Sequence, residues 1–209
     1  MNRGPEDWDR WLEEQDGPRL ALPETIFEIE RWLGRLPARE TKTIADLGCG
    51  LGTRLPLLAA KFGKLIAVDY APAGMARLRR RYHNLGIEFR RRDLRDLCPF
   101  YGRLDAAIAI DSIVGPRLSD FDRILVQIRR CLVEGGLLLA TFPAAPKSTI
   151  AKAMLLDGGD GTPAPPEFHE IELQYRLQRA GLRGAAIRRV INREGRESLV
   201  CRAVRRADN

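Results

Sequence analysis

The stretch that most limits what this chain can become runs from Thr43 to Phe62. TIADL has the length and apolar content of a buried strand, GCGLG follows it directly, and LPLLAAKF then carries helical spacing. Glycines at a strand-to-helix turn let the backbone bend sharply and approach a ligand with no side chain between. A helix start just behind the turn offers free N–H groups to an electronegative ligand.

The alternation continues. Gly63 ends the first helix, KLIAVDY reads as a second strand, and AGMARLRRRYHN as a second helix ended by Asn84 and Gly86. GIEFRRRDL is a short third strand and LDAAIAID a fourth. A helix follows from Ser119, a suitable N-cap, through FDRILVQIRRCL, and Glu134-Gly135-Gly136 turns the chain into a fifth strand, LLLATF. Strands separated by single helices pair in parallel through right-handed crossovers. After a last helix, HEIELQYRLQRAGL, the runs AAIRRVI and SLVCRAV are joined by only Asn192 to Arg196, so they form an antiparallel hairpin. The expected fold is therefore α/β: a doubly wound, mostly parallel seven-stranded sheet with an antiparallel C-terminal hairpin and helices on both faces.

Composition narrows the setting. A chain of 209 residues with 44% hydrophobic and 30% charged residues suits one soluble domain. No run approaches the roughly 20 apolar residues of a membrane span, and the acidic start MNRGPEDWDRWLEEQDG has no apolar signal core. Cys49, Cys98, Cys131 and Cys201 are too scattered for zinc or a disulfide framework, which agrees with reduced thiols and a cytoplasmic location. Residues 1–40 are expected to form a helical extension that packs over the sheet end as a lid. Residues 41–209 form the main domain, with 143–167 as a long loop of the kind that closes over substrates. Net charge is +7, with arginine concentrated in 77–103 and 183–206. A basic surface attracts nucleic acid, although no aromatic residues interleave these arginines as single-strand binding prefers.

Ligands of doubly wound sheets bind at the carboxyl ends of the strands. Asp46 ends the first strand there and Asp69 the second, where a carboxylate accepts hydrogen bonds from a ribose diol. Tyr70 is placed to cover an adenine face, and Asp93 with Leu94 stands at the end of the third strand. TIADLGCGLGT, LIAVDYAPAGMARLRRR and FRRRDLRDL together resemble the first three motifs of class I S-adenosylmethionine-dependent methyltransferases. LDAAIAIDS and CLVEGGLLLATF extend the resemblance over roughly Thr43 to Val204. The resemblance implies that Asp46 holds the methionine amino group and that Gly48, Cys49, Gly50 and Gly52 line the methionine and ribose. It places Asp69 on the ribose hydroxyls, Asp93 and Leu94 on the adenine, and Asp111 beside the transferable methyl. The implied cofactor is S-adenosyl-L-methionine. The competing reading, an oxidoreductase binding NAD or NADP, needs its third glycine one place later, where Thr53 stands.

The acceptor is less legible. Asp111-Ser112-Ile113-Val114 lacks the Asn/Asp-Pro-Pro-aromatic motif used on planar amide or adenine nitrogens. No Pro-Cys nucleophile is present, since Cys98-Pro99 has the order reversed. Asp111 and His169 are the catalytic candidates, as base or orienting group. The expected acceptor is an O or N atom of a small molecule. RNA- or protein-directed methyl transfer, or a binding module using the arginine clusters, is the alternative.

Overall fold

In a computed structural model the described residues are 6, 7, 9, 10, 27, 30–113, 118–145, 167–191 and 197–206. Their strands are β1 (Thr43–Leu47), β2 (Lys64–Asp69), β3 (Glu88–Arg91), β4 (Leu104–Ala109), β5 (Leu132–Pro143), β6 (Leu182–Ile191) and β7 (Glu197–Arg205). The helices are α1 (Leu55–Ala59), α2 (Pro72–Arg81), α3 (Leu118–Cys131) and α4 (Glu170–Arg179). All seven strands form one sheet in the order β3-β2-β1-β4-β5-β7-β6. Neighbours from β3 to β5 run parallel, whereas β7 pairs antiparallel with both β5 and β6.

Alternation along the strands sends side chains to two cores. On one face Ile44, Leu65, Ala67, Ile108 and Leu139 pack against Leu55 and Leu58 of α1 and Met75 and Leu78 of α2, with Trp32 and Leu33 closing that side. On the other face Leu47, Val68, Ala107, Leu138 and Cys201 meet Phe121, Leu125 and Ile128 of α3 and Leu173 and Leu177 of α4. Phe121, Phe142 and Phe168 cluster there, the closest ring centroids 4.4 Å apart. Cys49, Cys131 and Cys201 are buried free thiols, while Cys98 is exposed.

Several boundaries differ from the sequence reading, each for a local reason. β3 stops at Arg91 rather than at Asp93, because Asp93 Oδ1 accepts the Arg95 N–H two residues on and folds the chain back. β4 stops at Ala109, and Asp111 beyond it takes a left-handed φ of 51°. Ser119 lies inside α3, which begins at Leu118, so it is not the cap residue. Glu134-Gly135-Gly136 does not precede β5 but forms an irregularity within it. Leu104 pairs with Leu132 and Ala106 with Leu137, and the extra residues bulge out between them.

Most of residues 1–40 and of the 143–167 loop lies outside the described residues, as do Trp8 and Trp11. One contact from the first segment is clear: the Asp9 carboxylate accepts the N–H groups of Ala73 and Gly74 at 3.0 and 2.8 Å. The N-cap residue of α2, Ala71, has no capping side chain of its own, so Asp9 satisfies the first turn from a distance. Asp9→Ala is expected to lower stability by about 1 kcal/mol, the usual effect of losing an N-cap, measured by urea unfolding.

Candidate functional site

The order of the sheet reverses direction between β1 and β4, which opens a crevice at their carboxyl ends. Ser112 joins the two sides. Its Oγ donates to the Leu47 carbonyl at 2.6 Å, bringing the segment after β4 against the end of β1.

Asp46 is fully buried at the end of β1, and its Oδ1 accepts Arg54 Nη2 at 3.1 Å. Asp46 Oδ2 and Arg54 Nε are both buried without a hydrogen-bond partner. Burial alone would push a guanidinium down, yet the Asp46 charge beside it holds the Arg54 pKa above its ordinary value, and Asp111 adds to that effect. An unsatisfied buried carboxylate oxygen costs about 1–3 kcal/mol or more. Two such atoms on one ion pair mark a place built for a further polar group.

Asp69 organises the glycine turn. Its Oδ2 accepts the Gly50 N–H at 2.8 Å, and its Oδ1 accepts those of Tyr70 and Ala71 at 2.7 and 3.0 Å. Burial raises the Asp69 pKa, the three amides oppose that rise, and the neighbouring Asp46 charge reinforces it. With about four lone-pair sites on a carboxylate, roughly one remains for a ligand.

The glycines divide by role. Gly48 has a φ of 71°, and a Cβ there would sit 2.3 Å from Ser112 Cβ. Gly52 has a φ of 70°, and a Cβ would meet Leu78 Cδ2 at 2.6 Å and Leu55 Cδ1 at 2.9 Å. At these two positions the direction a Cβ would take is filled by protein side chains, and the missing Cβ atoms permit close packing around the turn. Cys49 points into the α1/α2 core, with its Sγ 4.0 Å from Met75 Sδ, and its N–H is bound to the Val68 carbonyl. Burial first, and then the Asp46 charge, push the Cys49 thiol well above its usual range.

Asp93 and Leu94 also differ from the simple expectation. Both Asp93 oxygens are bound by Arg95, whose Nη2 lies 2.6 Å away, and Arg95 in turn reaches Asp120 at 3.5 Å. The Leu94 side chain is buried in the α3 core. Asp111 is exposed at the end of the crevice, its N–H and Oδ1 both bonded to the Thr141 hydroxyl at 2.8 and 2.6 Å. His169 is exposed at the N-cap of α4 and makes no capping bond. The segment before it is tied to the end of β5, where Phe168 N–H donates to the Pro143 carbonyl.

The structure therefore gathers Asp46, Gly48, Gly50, Asp69 and Asp111 around one crevice and leaves His169 outside its hydrogen-bond network. Arg54, Ser112 and Thr141 were not anticipated. An arginine two places after the last glycine of the turn was the one available signal. Among the described residues no group of three or more His, Cys, Asp or Glu side chains is arranged to hold a metal.

Residues 44–136, under half of the chain, match the family model described as a methyltransferase domain. Over those residues the chain is similar to methyltransferase domains. Solved structures agree on its fold. The complex between the Haloferax volcanii Trm112 methyltransferase activator and a methyltransferase contains a chain of 17% identity, with 99% of each chain covered and a TM-score of 0.73. A Burkholderia thailandensis 1,6-didemethyltoxoflavin-N1-methyltransferase, bound to 1,6-didemethyltoxoflavin and S-adenosylhomocysteine, is 20% identical. There 97% of this chain and 83% of that one are covered, with a TM-score of 0.70. A SAM-dependent methyltransferase from Methanosarcina mazei is 18% identical over 85% of this chain and 98% of that one, with a TM-score of 0.67. No curated protein matches the sequence. Among the described residues, no helix is long and apolar enough to cross a membrane.

Proposed function

We propose that this domain moves the methyl group of S-adenosylmethionine to an O or N atom of a small-molecule acceptor. One observation carries the choice of cofactor: three carboxylates, Asp46, Asp69 and Asp111, surround the crevice with Arg54 as the guanidinium among them. A site of that formal charge favours a cation. S-adenosylmethionine has a net positive charge, whereas the pyrophosphate of a dinucleotide would meet repulsion there. The neighbouring 1,6-didemethyltoxoflavin-N1-methyltransferase, with S-adenosylhomocysteine bound, supports the same reading.

The orphaned atoms of the Asp46–Arg54 pair fit an amino acid. Asp46 Oδ2 is available to an ammonium and Arg54 to a carboxylate, the two charged ends of a methionine moiety. Gly48, Cys49, Gly50 and Gly52 contribute backbone at the floor of the site. Asp69 takes a ribose hydroxyl at its remaining lone pair. Tyr70 covers the adenine face, while Asp93 and the Leu94 backbone lie toward its edge. Asp111 stands beside the reacting centre and is the nearer of the two catalytic candidates, with His169 the other.

When bound, the cofactor supplies an activated methyl on a good leaving group. The protein then contributes alignment and exclusion of water, and a base only where the acceptor carries a proton to be lost. Residues 1–40 and 143–167 act as the closing segments in this reading, and Asp9 anchors the first of them beside Tyr70 through the amides of α2.

Thermal shift against S-adenosylmethionine, S-adenosylhomocysteine, NAD and NADP tests the cofactor. At a hundredfold excess over Kd, a bound ligand adds about 2.7 kcal/mol, roughly 5–10 °C for a domain of this size. Shifts with the two adenosyl compounds alone are expected, and a shift with NAD or NADP instead would refute the assignment.

A second reading has one observation in its favour. Arg79, Arg80 and Arg81 of α2 and Arg90, Arg91 and Arg92 around the end of β3 are all exposed at one edge of the sheet. An RNA-directed enzyme would use that edge for phosphates. RNA affinity falling steeply between roughly 50 and 200 mM salt is its expected signature, measured by fluorescence anisotropy. A flat salt response removes it.

A further inference from the structure

Asp111 is one of two non-glycine residues with a positive φ among the described residues, and it stands at the mouth of the crevice. Left-handed backbone at a residue with a side chain persists only where surrounding contacts hold it, and it gathers at functional sites. The contact here is Thr141. This threonine is 2% exposed and, with Asp46, one of the two buried polar residues of the described chain. Its place in β5 follows the parity of Leu137 and Leu139, which face the α1/α2 core, so it lies on the Asp46 side of the sheet.

Thr141 Oγ1 accepts the Asp111 N–H at 2.8 Å and donates its single proton to Asp111 Oδ1 at 2.6 Å. One hydroxyl thereby fixes both the backbone and the carboxylate of the residue. Oδ1 is held, and the Asp111 charge acts on Arg54 inside the crevice.

We infer that Thr141 is a positioning residue that aims the Asp111 carboxylate so that the site distinguishes a sulfonium from the neutral thioether left after methyl loss. This rests on the assignment of S-adenosylmethionine as the cofactor. The two compounds differ at that centre by one methyl and one positive charge, so a carboxylate held nearby binds the charged form more tightly and lets the spent one leave. A carboxylate free to swing toward solvent would lose most of that difference to screening.

The test is the ratio of dissociation constants for S-adenosylhomocysteine and S-adenosylmethionine, by isothermal titration calorimetry on the full chain. The wild-type ratio should favour S-adenosylmethionine. Thr141→Val should erode it roughly three- to tenfold, and Thr141→Ser, which keeps the hydroxyl, should preserve it. Asp111→Asn keeps an acceptor for Thr141 but removes the charge, and should erode the ratio as far as Thr141→Val does. A purely structural threonine would weaken both ligands alike and leave the ratio untouched, which overturns the inference. If Thr141→Val does not fold, an unchanged ratio in Asp111→Asn overturns it equally. Failure of the wild-type protein to bind either compound would instead remove the cofactor assignment itself.

Discussion

Asp69→Ala is expected to weaken S-adenosylmethionine binding by about 2–3 kcal/mol, a loss of roughly 30- to 150-fold, measured by calorimetry. Two effects add. The ribose loses a charged acceptor, and the N–H groups of Gly50, Tyr70 and Ala71 lose the carboxylate that orients them. The turn that forms the floor of the site is thus loosened by the same substitution. Affinity equal to wild type would mean that the ribose lies elsewhere. The pH dependence has a definite sign. Burial raises the Asp69 pKa above its ordinary value, so the folded protein holds this proton longer than the unfolded chain. The stability linked to the group is present below the ordinary carboxylate range and declines as pH rises through the raised value. Cofactor affinity should move the opposite way over that window, because the ionised form is the better acceptor for a ribose hydroxyl.

Gly48→Ala should be strongly destabilising, since it adds a clash to a left-handed backbone. A left-handed backbone costs a non-glycine residue about 1–2 kcal/mol, and overpacking adds about 1–3 more. The added carbon would lie 2.3 Å from Ser112 Cβ, an atom that the Ser112–Leu47 hydrogen bond keeps in place. A fall in Tm of roughly 4–20 °C is expected by calorimetry. Combining it with Ser112→Gly should return the steric part and leave the backbone part, so the double variant should fall between. Additive losses would show that the two residues do not meet.

What was legible in the sequence was whatever acts locally. The alternation of apolar strands with helices located all seven strands, and the short 192–196 link dictated the antiparallel hairpin that the sheet contains. Glycine spacing located the turn, and the carboxylates Asp46 and Asp69 stood at their strand ends as expected. Pairings between distant segments were not legible. Nothing near Ser112 announces the Leu47 carbonyl, and nothing near Thr141 announces Asp111, since each meets its partner only after β1, β4 and β5 have paired. Asp93 looked like a free strand-end carboxylate for a related reason. Its competitor, Arg95, is close in sequence, but only the Asx turn brings the guanidinium round to it. Arg54 likewise carries no signal of Asp46, which lies buried beside it only once β1 and the turn have folded.

The position of β7 in the sheet has a consequence for biosynthesis. Among the described strands β7 comes last in chain order, yet it is an interior strand, and β6 reaches the rest of the sheet through it alone. Until Glu197–Arg205 emerges, β5 presents an open edge carrying Leu137, Leu138, Leu139 and Phe142, with the Leu182–Ile191 strand waiting unattached. An exposed apolar edge of that length is a template for pairing with another nascent chain. This sheet is therefore most open to association in the interval after β5 and β6 are made and before β7 follows, and chaperone contact would count most then.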